Sequence, residues 1–183
     1  MEGIAKRRRR LRVAFTVLFA GVATLALSAS PALASGTYSG RDYIYGADGF
    51  QDDWGDEGIL STGTNTYSNA TCLWQEILWA DGFLDVSDID GAFGPETKAA
   101  TKAWQAKKGL SDRDGVAGKE TFGKADDGLR KWDEDSGNLW VYYLGSNYQP
   151  TFIRKADGTY GFYMYDGSTD GYRLAGYDYR TCG

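Results

Sequence analysis

The sequence predicts an α+β protein in which a small three-helix module is followed by an antiparallel β-meander. Between residues 69 and 130, apolar side chains recur at helical spacing, and two Asp-Gly turns separate the helical patterns. Between residues 139 and 183, twelve of the 45 residues are aromatic, and turn residues separate short runs of alternating side chains. These two patterns define the helical and the β parts of the predicted fold.

The first helix is expected to begin near Asn69 or Ala70, because Ser68 and Asn69 are both good N-cap residues. Gly82 is expected just past its end, where a left-handed backbone costs a glycine little. The apolar face of this helix carries Leu73, Trp74, Ile77 and Leu78.

The second helix is expected to begin at Pro95, because the missing N–H of proline costs nothing in a first turn. Glu96 then lies near the positive end of the helix dipole, and Gly109 ends the helix. A short third helix is predicted over residues 119–125, with Phe122 facing the core. The inner face of the second helix carries Ala99, Ala100, Ala103 and Trp104.

The order of residues in this helical stretch carries a family resemblance. The residues concerned are Gln75, Leu78, Gly82, Asp90-Gly91, Phe93-Gly94, Thr97, Ala100, Trp104-Gln105, Gly109-Leu110, Asp114-Gly115-Val116, Gly118 and Thr121-Phe122. This order resembles the peptidoglycan-binding domain of bacterial cell-wall hydrolases, a small three-helix module. The resemblance covers the 58 residues from Thr71 to Gly128. Trp74, Trp104 and Ala117 depart from the residues usual in that family, which affects core packing.

The resemblance implies a bacterial protein that recognises peptidoglycan without cutting it. In that family the module usually directs an attached hydrolase domain to the wall, and no such domain is recognisable in this sequence. A protein-interaction or inhibitor-like role for the aromatic C-terminal part is the alternative function, with a secreted protein as the partner.

Residues 1–34 have the pattern of a signal peptide. Six basic residues precede an apolar run over residues 13–27, and Ala32-Leu33-Ala34 matches a small-x-small cleavage signal. The run is short for a membrane span, so we expect a secreted, wall-associated protein without membrane contact; a retained anchor is the alternative. The residues around the arginine pairs favour the general secretory route over twin-arginine export.

Removal of the leader leaves 149 residues with 14 basic and 24 acidic side chains, a net charge of about −10. This acidity argues against nucleic acid as a partner, because phosphates are bound by Lys and Arg. It also provides no long-range attraction to anionic membranes or wall polymers. Wall binding is therefore expected to rest on short-range hydrogen bonds and stacking.

Cys72 and Cys182 are the two cysteines of the chain, and in an exported protein a disulfide between them is the default expectation. The bond would tie the first helix to the end of the chain. We therefore predict that residues 131–183, the aromatic-rich meander, pack against the helical module at residues 69–130.

Residues 35–68 are rich in Gly, Ser, Thr, Tyr and Asp and have no sustained period. They are predicted to form an extended or partly ordered arm, and a flexible linker is the alternative. The acidic cluster at residues 48–57 lacks the spacing of a helix–loop–helix calcium site, so no metal is predicted.

The strand candidates of the meander are residues 139–144, 150–155, 159–165 and 172–179, with a hairpin turn at Ala156-Asp157-Gly158. An exposed face would offer rings to a sugar or to a protein partner; the alternative is that all the rings fill the core. Alternation places Tyr160, Phe162 and Met164 on one face, and Gly161, Tyr163 and Tyr165 on the other.

The composition limits the catalytic chemistry that is possible. The chain has no histidine, which excludes Ser-His-Asp and Cys-His mechanisms and makes a catalytic zinc site improbable. Oxidised cysteines provide no thiolate nucleophile, and no phosphate-binding glycine loop occurs. A glycosidase that uses two carboxylates is the one enzymatic alternative. We therefore expect no catalytic residues and no cofactor.

Ligand contacts are predicted for the side chains that the module is not expected to bury: Trp79, Thr97, Gln105 and Arg113. The aspartates of the two turns, Asp90 and Asp114, are expected to bond their own turn backbones. Core positions are predicted for Ile77, Leu78, Phe93, Trp104, Leu110 and Phe122. The glycines at 91, 94, 109, 115 and 118 are predicted to meet backbone requirements.

Overall fold

Among the residues that the structure describes, three helices precede a five-stranded sheet. The computed structural model describes residues 37–47, 49–164 and 171–183, so the predicted signal peptide lies outside the described residues. The helices are α1 (Asn69–Ala80), α2 (Pro95–Lys107) and α3 (Lys119–Asp126), with a short 3₁₀ turn at Val86–Asp88 between the first two. The strands are β1 (Leu129–Asp135), β2 (Asn138–Tyr143), β3 (Thr151–Arg154), β4 (Tyr160–Tyr163) and β5 (Tyr172–Leu174). The predicted α+β class is confirmed.

The helix boundaries follow the predicted capping signals. The Ser68 hydroxyl accepts a hydrogen bond from the Thr71 N–H at 3.0 Å, so Ser68 rather than Asn69 is the N-cap of α1. Gly82 follows the end of α1 with a φ of 80°, a conformation that favours glycine. Pro95 opens α2 and Gly118 immediately precedes α3.

The sheet is an antiparallel meander in which each strand pairs with the next, in the order β1 to β5. The hairpin predicted at Ala156-Asp157-Gly158 joins β3 to β4, and the Gly158 N–H donates to the Lys155 carbonyl at 2.8 Å. The last strand is shorter than predicted, because the chain leaves the sheet after Leu174 and turns towards α1.

The first strand was not predicted. Its sequence, Leu-Arg-Lys-Trp-Asp-Glu-Asp, is mostly charged and contains no regular alternation. It lies at the edge of the sheet, where charged side chains are common because they discourage pairing with another chain. An irregularity in register between Lys131 and Asp133 further interrupts its pattern.

The inner face of the sheet packs on the helices through aromatic side chains. Tyr160 and Phe162 share the buried face, as the alternation placed them together, and Tyr163 lies on the opposite face. The alternation does not extend to Met164, which follows the end of β4 and lines a hollow together with Tyr163. The Trp54 ring lies 5.3 Å from the Tyr160 ring and 6.1 Å from the Phe122 ring of α3, between centroids. Trp54 therefore packs between the sheet and the helices. Tyr165, which was predicted on the same face as Tyr163, lies outside the described residues.

The residues before α1 pack as part of the same core. Ile44, Trp54 and Leu60 are fully buried, and Leu60 pairs with Ala117 through two backbone hydrogen bonds of 2.9 and 3.0 Å. These contacts are incompatible with a flexible linker over residues 44–60, of which position 48 lies outside the described residues. Glu57 is also buried here, and desolvation raises the pKa of its carboxyl to about 7.

The predicted disulfide between Cys72 and Cys182 is present and joins two residues 110 positions apart, with their Cα atoms at 6.6 Å. The last residues of the chain pack on the start of α1. The Asn69 N–H donates to the Tyr179 carbonyl at 2.8 Å, and the Thr181 N–H donates to the Asn69 side chain at 2.7 Å. The C-terminal segment is therefore attached to the helical module, as predicted.

Asp81, at the end of α1, connects the helices to the sheet. One carboxylate oxygen accepts hydrogen bonds from the Trp104 indole at 2.7 Å and from the Tyr143 hydroxyl at 2.6 Å. The same oxygen forms an ion pair with the Lys108 ammonium at 2.9 Å. The other oxygen accepts from Ser146. Burial alone would raise the pKa of Asp81, but the Tyr143, Lys108 and Trp104 donors outweigh it and lower the pKa below 3.8.

Candidate functional site

A glutamine of α1 holds the first Asp-Gly turn. The Gln75 amide group donates to an Asp90 carboxylate oxygen and to the Thr97 hydroxyl, both at 3.0 Å. Its carbonyl oxygen accepts from the Gly91 N–H at 2.7 Å. The buried Gln75 side chain therefore connects α1 to the first Asp-Gly turn and to the start of α2.

A glutamine of α2 holds the second Asp-Gly turn with the same set of partners. The Gln105 amide group donates to Asp114 at 3.2 Å and to the Thr121 hydroxyl at 3.1 Å, and its carbonyl oxygen accepts from the Gly115 N–H at 2.9 Å. The helical module is therefore a helix–turn unit used twice, with the second unit ending in α3.

Each turn is also closed by its own aspartate. The Asp90 carboxylate accepts from the Ala92 N–H, and the Asp114 carboxylate from the Val116 N–H, both at 2.8 Å. The following glycines have φ values of 70° and 76°, which favour glycine. The predicted roles of the turn aspartates are confirmed.

The C-terminal segment covers one side of the first turn. A Cβ added at Gly91 would lie 2.8 Å from the Cys182 sulfur and 2.9 Å from Arg180 Cδ. A Cβ added at Gly183 would lie 2.8 Å from the Asp90 carbonyl oxygen. The two units of the repeat therefore differ in access, because the first carries the end of the chain.

The second turn opens onto a groove of about 170 Å³ beside the start of α3. Tyr38, from the arm, forms one wall, and the Lys119 ammonium lies 6.0 Å from the centre of its ring. We name this site the second-turn groove. It is lined by Tyr38, Gln105, Leu110, Asp112, Asp114, Val116, Gly118, Lys119, Glu120 and Thr121.

The second-turn groove offers groups that suit a small zwitterionic ligand. Gly118 is the N-cap of α3 and has no side chain to bond the first backbone N–H groups, which lack partners within any helix. These N–H groups and the Lys119 ammonium favour a carboxylate. Asp112 and Glu120 favour an amine on the same ligand. The small volume suits a short peptide better than a folded partner.

Two predicted contact residues prove to be buried. Thr97 is 3% exposed and Gln105 is 1% exposed, so the expectation that they are exposed was wrong. Both side chains form hydrogen bonds in the networks that hold the two Asp-Gly turns. They are buried with these partners because buried polar groups need hydrogen bonds. Gln105 nevertheless contributes to the floor of the second-turn groove.

The other two predicted contact residues have different environments. Trp79 is only 9% exposed, contrary to expectation, because the Tyr148 ring stacks on it at 4.2 Å with an angle of 7°. Arg113 is exposed, as expected, and its Nε donates to the Leu110 carbonyl at 3.1 Å. In sequence it lies between Asp112 and Asp114, which line the groove.

Lys119, Glu120 and Tyr38, which give the groove its charge and one wall, were not among the contact residues predicted from the sequence. Lys119 and Glu120 follow a helix-start glycine, and that position was a usable signal for a ligand-facing helix terminus. Tyr38 had no such signal, because only the folded arm brings it next to Gly118. The predicted core residues Ile77, Leu78, Phe93, Trp104 and Phe122 are fully buried, and Leu110 is partly buried. The inner face predicted for α2 was partly wrong: Ala100 is buried, but Ala99 and Ala103 are exposed.

Burial raises the pKa of other carboxyls, but these do not line the groove. The pKa of Glu76 is raised well above its ordinary value by desolvation, and that of Asp126 is raised to about 7 by desolvation and neighbouring aspartates. Within the described ranges, no group of three or more acidic or cysteine side chains is arranged to hold a metal ion.

Comparison with known proteins identifies the helical part of the chain. Residues 68–124 match the family described as "Putative peptidoglycan binding domain". These residues therefore form a peptidoglycan-binding-like module, which confirms the resemblance. No curated protein and no solved structure matches the chain. In the part of the chain that the structure describes, no helix has the length and apolar character needed to cross a membrane.

Proposed function

We propose that this protein is a secreted, non-catalytic cell-wall protein that binds peptidoglycan through the second-turn groove. The family match over residues 68–124 supports peptidoglycan as the ligand. The observation that carries the assignment of the site is the groove itself, which is lined by matched residues together with Tyr38 of the arm and combines Lys119 with acidic side chains.

The chemistry of the groove favours the stem peptide of peptidoglycan over its glycan strand. Stem peptides carry both carboxylates and amines. The Lys119 ammonium and the α3 N–H groups complement the carboxylates, and Asp112 complements an amine. The net acidity of the mature chain offers no general attraction to the wall, so specificity must come from these local contacts.

The proposal includes export and processing of the chain. Residues 1–34 act as a cleaved signal peptide, residues 35–68 form an arm, residues 69–130 form the binding module, and residues 131–183 form the meander. The disulfide between Cys72 and Cys182 supports an oxidising, extracellular location. The lack of histidine and of a free thiol supports binding without cleavage.

Sedimentation of the purified mature protein with intact wall sacculi tests this function. The wild type is expected to pellet with sacculi, and Lys119→Glu to bind about tenfold more weakly, because it places a second carboxylate beside Glu120. Lys124→Glu is the matched control, since it makes the same charge change on α3 at a position that does not line the groove.

The outcome is decided by the comparison between the two charge changes. Equal binding of both variants and the wild type would exclude the second-turn groove as the site. A wild-type protein that stays in the supernatant while an established wall-binding protein pellets would overturn the proposed function itself.

A further inference from the structure

The face of the sheet that points away from the helices carries a row of aromatic side chains, which we name the outer aromatic face. Trp132 is 59% exposed and Tyr172 is 38% exposed, while Trp140 and Tyr163 are partly buried. These four rings come from β1, β2, β4 and β5, so they extend across the sheet. Clustered apolar side chains at a protein surface often mark a binding site.

The rings of the outer aromatic face are held next to one another by the strand pairing. The Trp140 indole N–H lies 3.4 Å from the Tyr163 hydroxyl, and the Tyr163 and Tyr172 ring centres are 6.1 Å apart. Gly161 makes room for the Tyr172 ring, because a Cβ there would lie 2.8 Å from Tyr172 Cδ2. Three of the four rings, Trp140, Tyr163 and Tyr172, are therefore in contact with one another through Tyr163.

A shallow hollow of about 400 Å³ lies on this face, and none of its lining residues is charged. It is lined by Trp132, Trp140, Thr151, Tyr163 and Met164. Flat rings supply apolar contact area, and hydroxyl and indole groups at their edges supply hydrogen-bonding groups. This combination matches a sugar ring, which has apolar faces and a rim of hydroxyls.

We propose that the outer aromatic face binds the glycan strand of peptidoglycan, and this inference rests on the proposed function for the presence of that polymer. The uncharged hollow complements the uncharged faces of the sugars and offers no counter-charge to an ionic partner. The second-turn groove binds the stem peptide, and the sheet binds the strand to which that peptide is attached. Engagement of one surface raises the effective concentration of the ligand at the other, so a weak sugar contact adds to the total affinity.

The proposal is tested with a β-linked N-acetylglucosamine polymer that carries no peptide, in the form of chitin beads and its soluble oligosaccharides. Wild type is expected to bind chitin, and Trp132→Ala to bind it about tenfold more weakly. Trp132 is mostly exposed at a sheet edge, so its removal is expected to leave the thermal unfolding midpoint unchanged. Tyr67→Ala is the matched control, since Tyr67 is 64% exposed but precedes α1 and pairs with Ala92.

Three outcomes separate this proposal from the proposed function. The expected result is that chitin binding weakens about tenfold in Trp132→Ala alone and is unchanged in Tyr67→Ala and in Lys119→Glu. Absence of chitin binding by a wild type that still pellets with sacculi would overturn the glycan proposal and leave the stem-peptide site intact. Equal chitin binding by wild type and Trp132→Ala would place the sugar contact elsewhere and also overturn the proposal.

Discussion

Replacing both Cys72 and Cys182 with alanine is expected to lower the free energy of unfolding by about 4 kcal/mol. The bond closes a loop spanning 110 positions. Removing such a cross-link increases the conformational entropy of the unfolded chain, which lowers the free energy of unfolding by about this amount. Alanine is chosen because both sulfurs are buried and a serine hydroxyl there would need a partner. Urea unfolding followed by tryptophan fluorescence measures the change.

The location of the loss gives a second readout of the same change. Hydrogen exchange is expected to accelerate at Asn69 and Thr181, whose contacts connect the start of α1 to the end of the chain. Tyr148→Ala, which removes the stacking partner of Trp79, is a control that leaves this end of α1 unaffected. A double cysteine variant with a loss below about 1 kcal/mol would show that the packing of the C-terminal segment does not depend on the bond.

The change Asp81→Ala is expected to lower the free energy of unfolding by about 3 to 5 kcal/mol. It removes the acceptor shared by Trp104 and Tyr143 and leaves those buried donors, together with Lys108, without the carboxylate. Chemical unfolding at neutral pH measures the loss. Asp81→Asn is the matched variant, because it keeps the shape and one acceptor but not the charge, and it is expected to fall between alanine and wild type.

The pH dependence of stability also tests the role of the Asp81 charge, because a contribution from packing alone would not change with pH. Because the folded-state pKa of Asp81 lies below its ordinary value of 3.8, its stabilising contribution is present above that value. The contribution is lost as the pH falls through the lower folded-state pKa. The difference between wild type and Asp81→Asn should therefore shrink on acidification, and a difference independent of pH would contradict the role given to the carboxylate.

The helical part of this fold could be predicted because its signals are local. Ser68, Pro95 and the glycines after the aspartates specify helix starts and turns through their own backbone and side-chain chemistry. The hairpin at Ala156-Asp157-Gly158 is local in the same sense. The disulfide could be predicted because the sequence has two cysteines and residues 1–34 were interpreted as an export signal.

The candidate site could be predicted less well because exposure is decided by contacts distant in sequence. Trp79 is covered by Tyr148, and Tyr38 reaches the groove only through the folded arm. The polar side chains of Gln105 and Thr97 suggested exposure, but each is consumed in holding an Asp-Gly turn. β1 was missed because its charged residues contain no regular alternation.

The most direct test of the proposed binding site is an amide chemical-shift titration of the ¹⁵N-labelled mature protein with soluble stem-peptide fragments of peptidoglycan. Shifts that saturate are expected at Gly115, Gly118 and Lys119, around the second-turn groove. Shifts confined to Gly91 at the first turn, or no shifts at ligand concentrations that saturate wall binding, would contradict the proposed binding site.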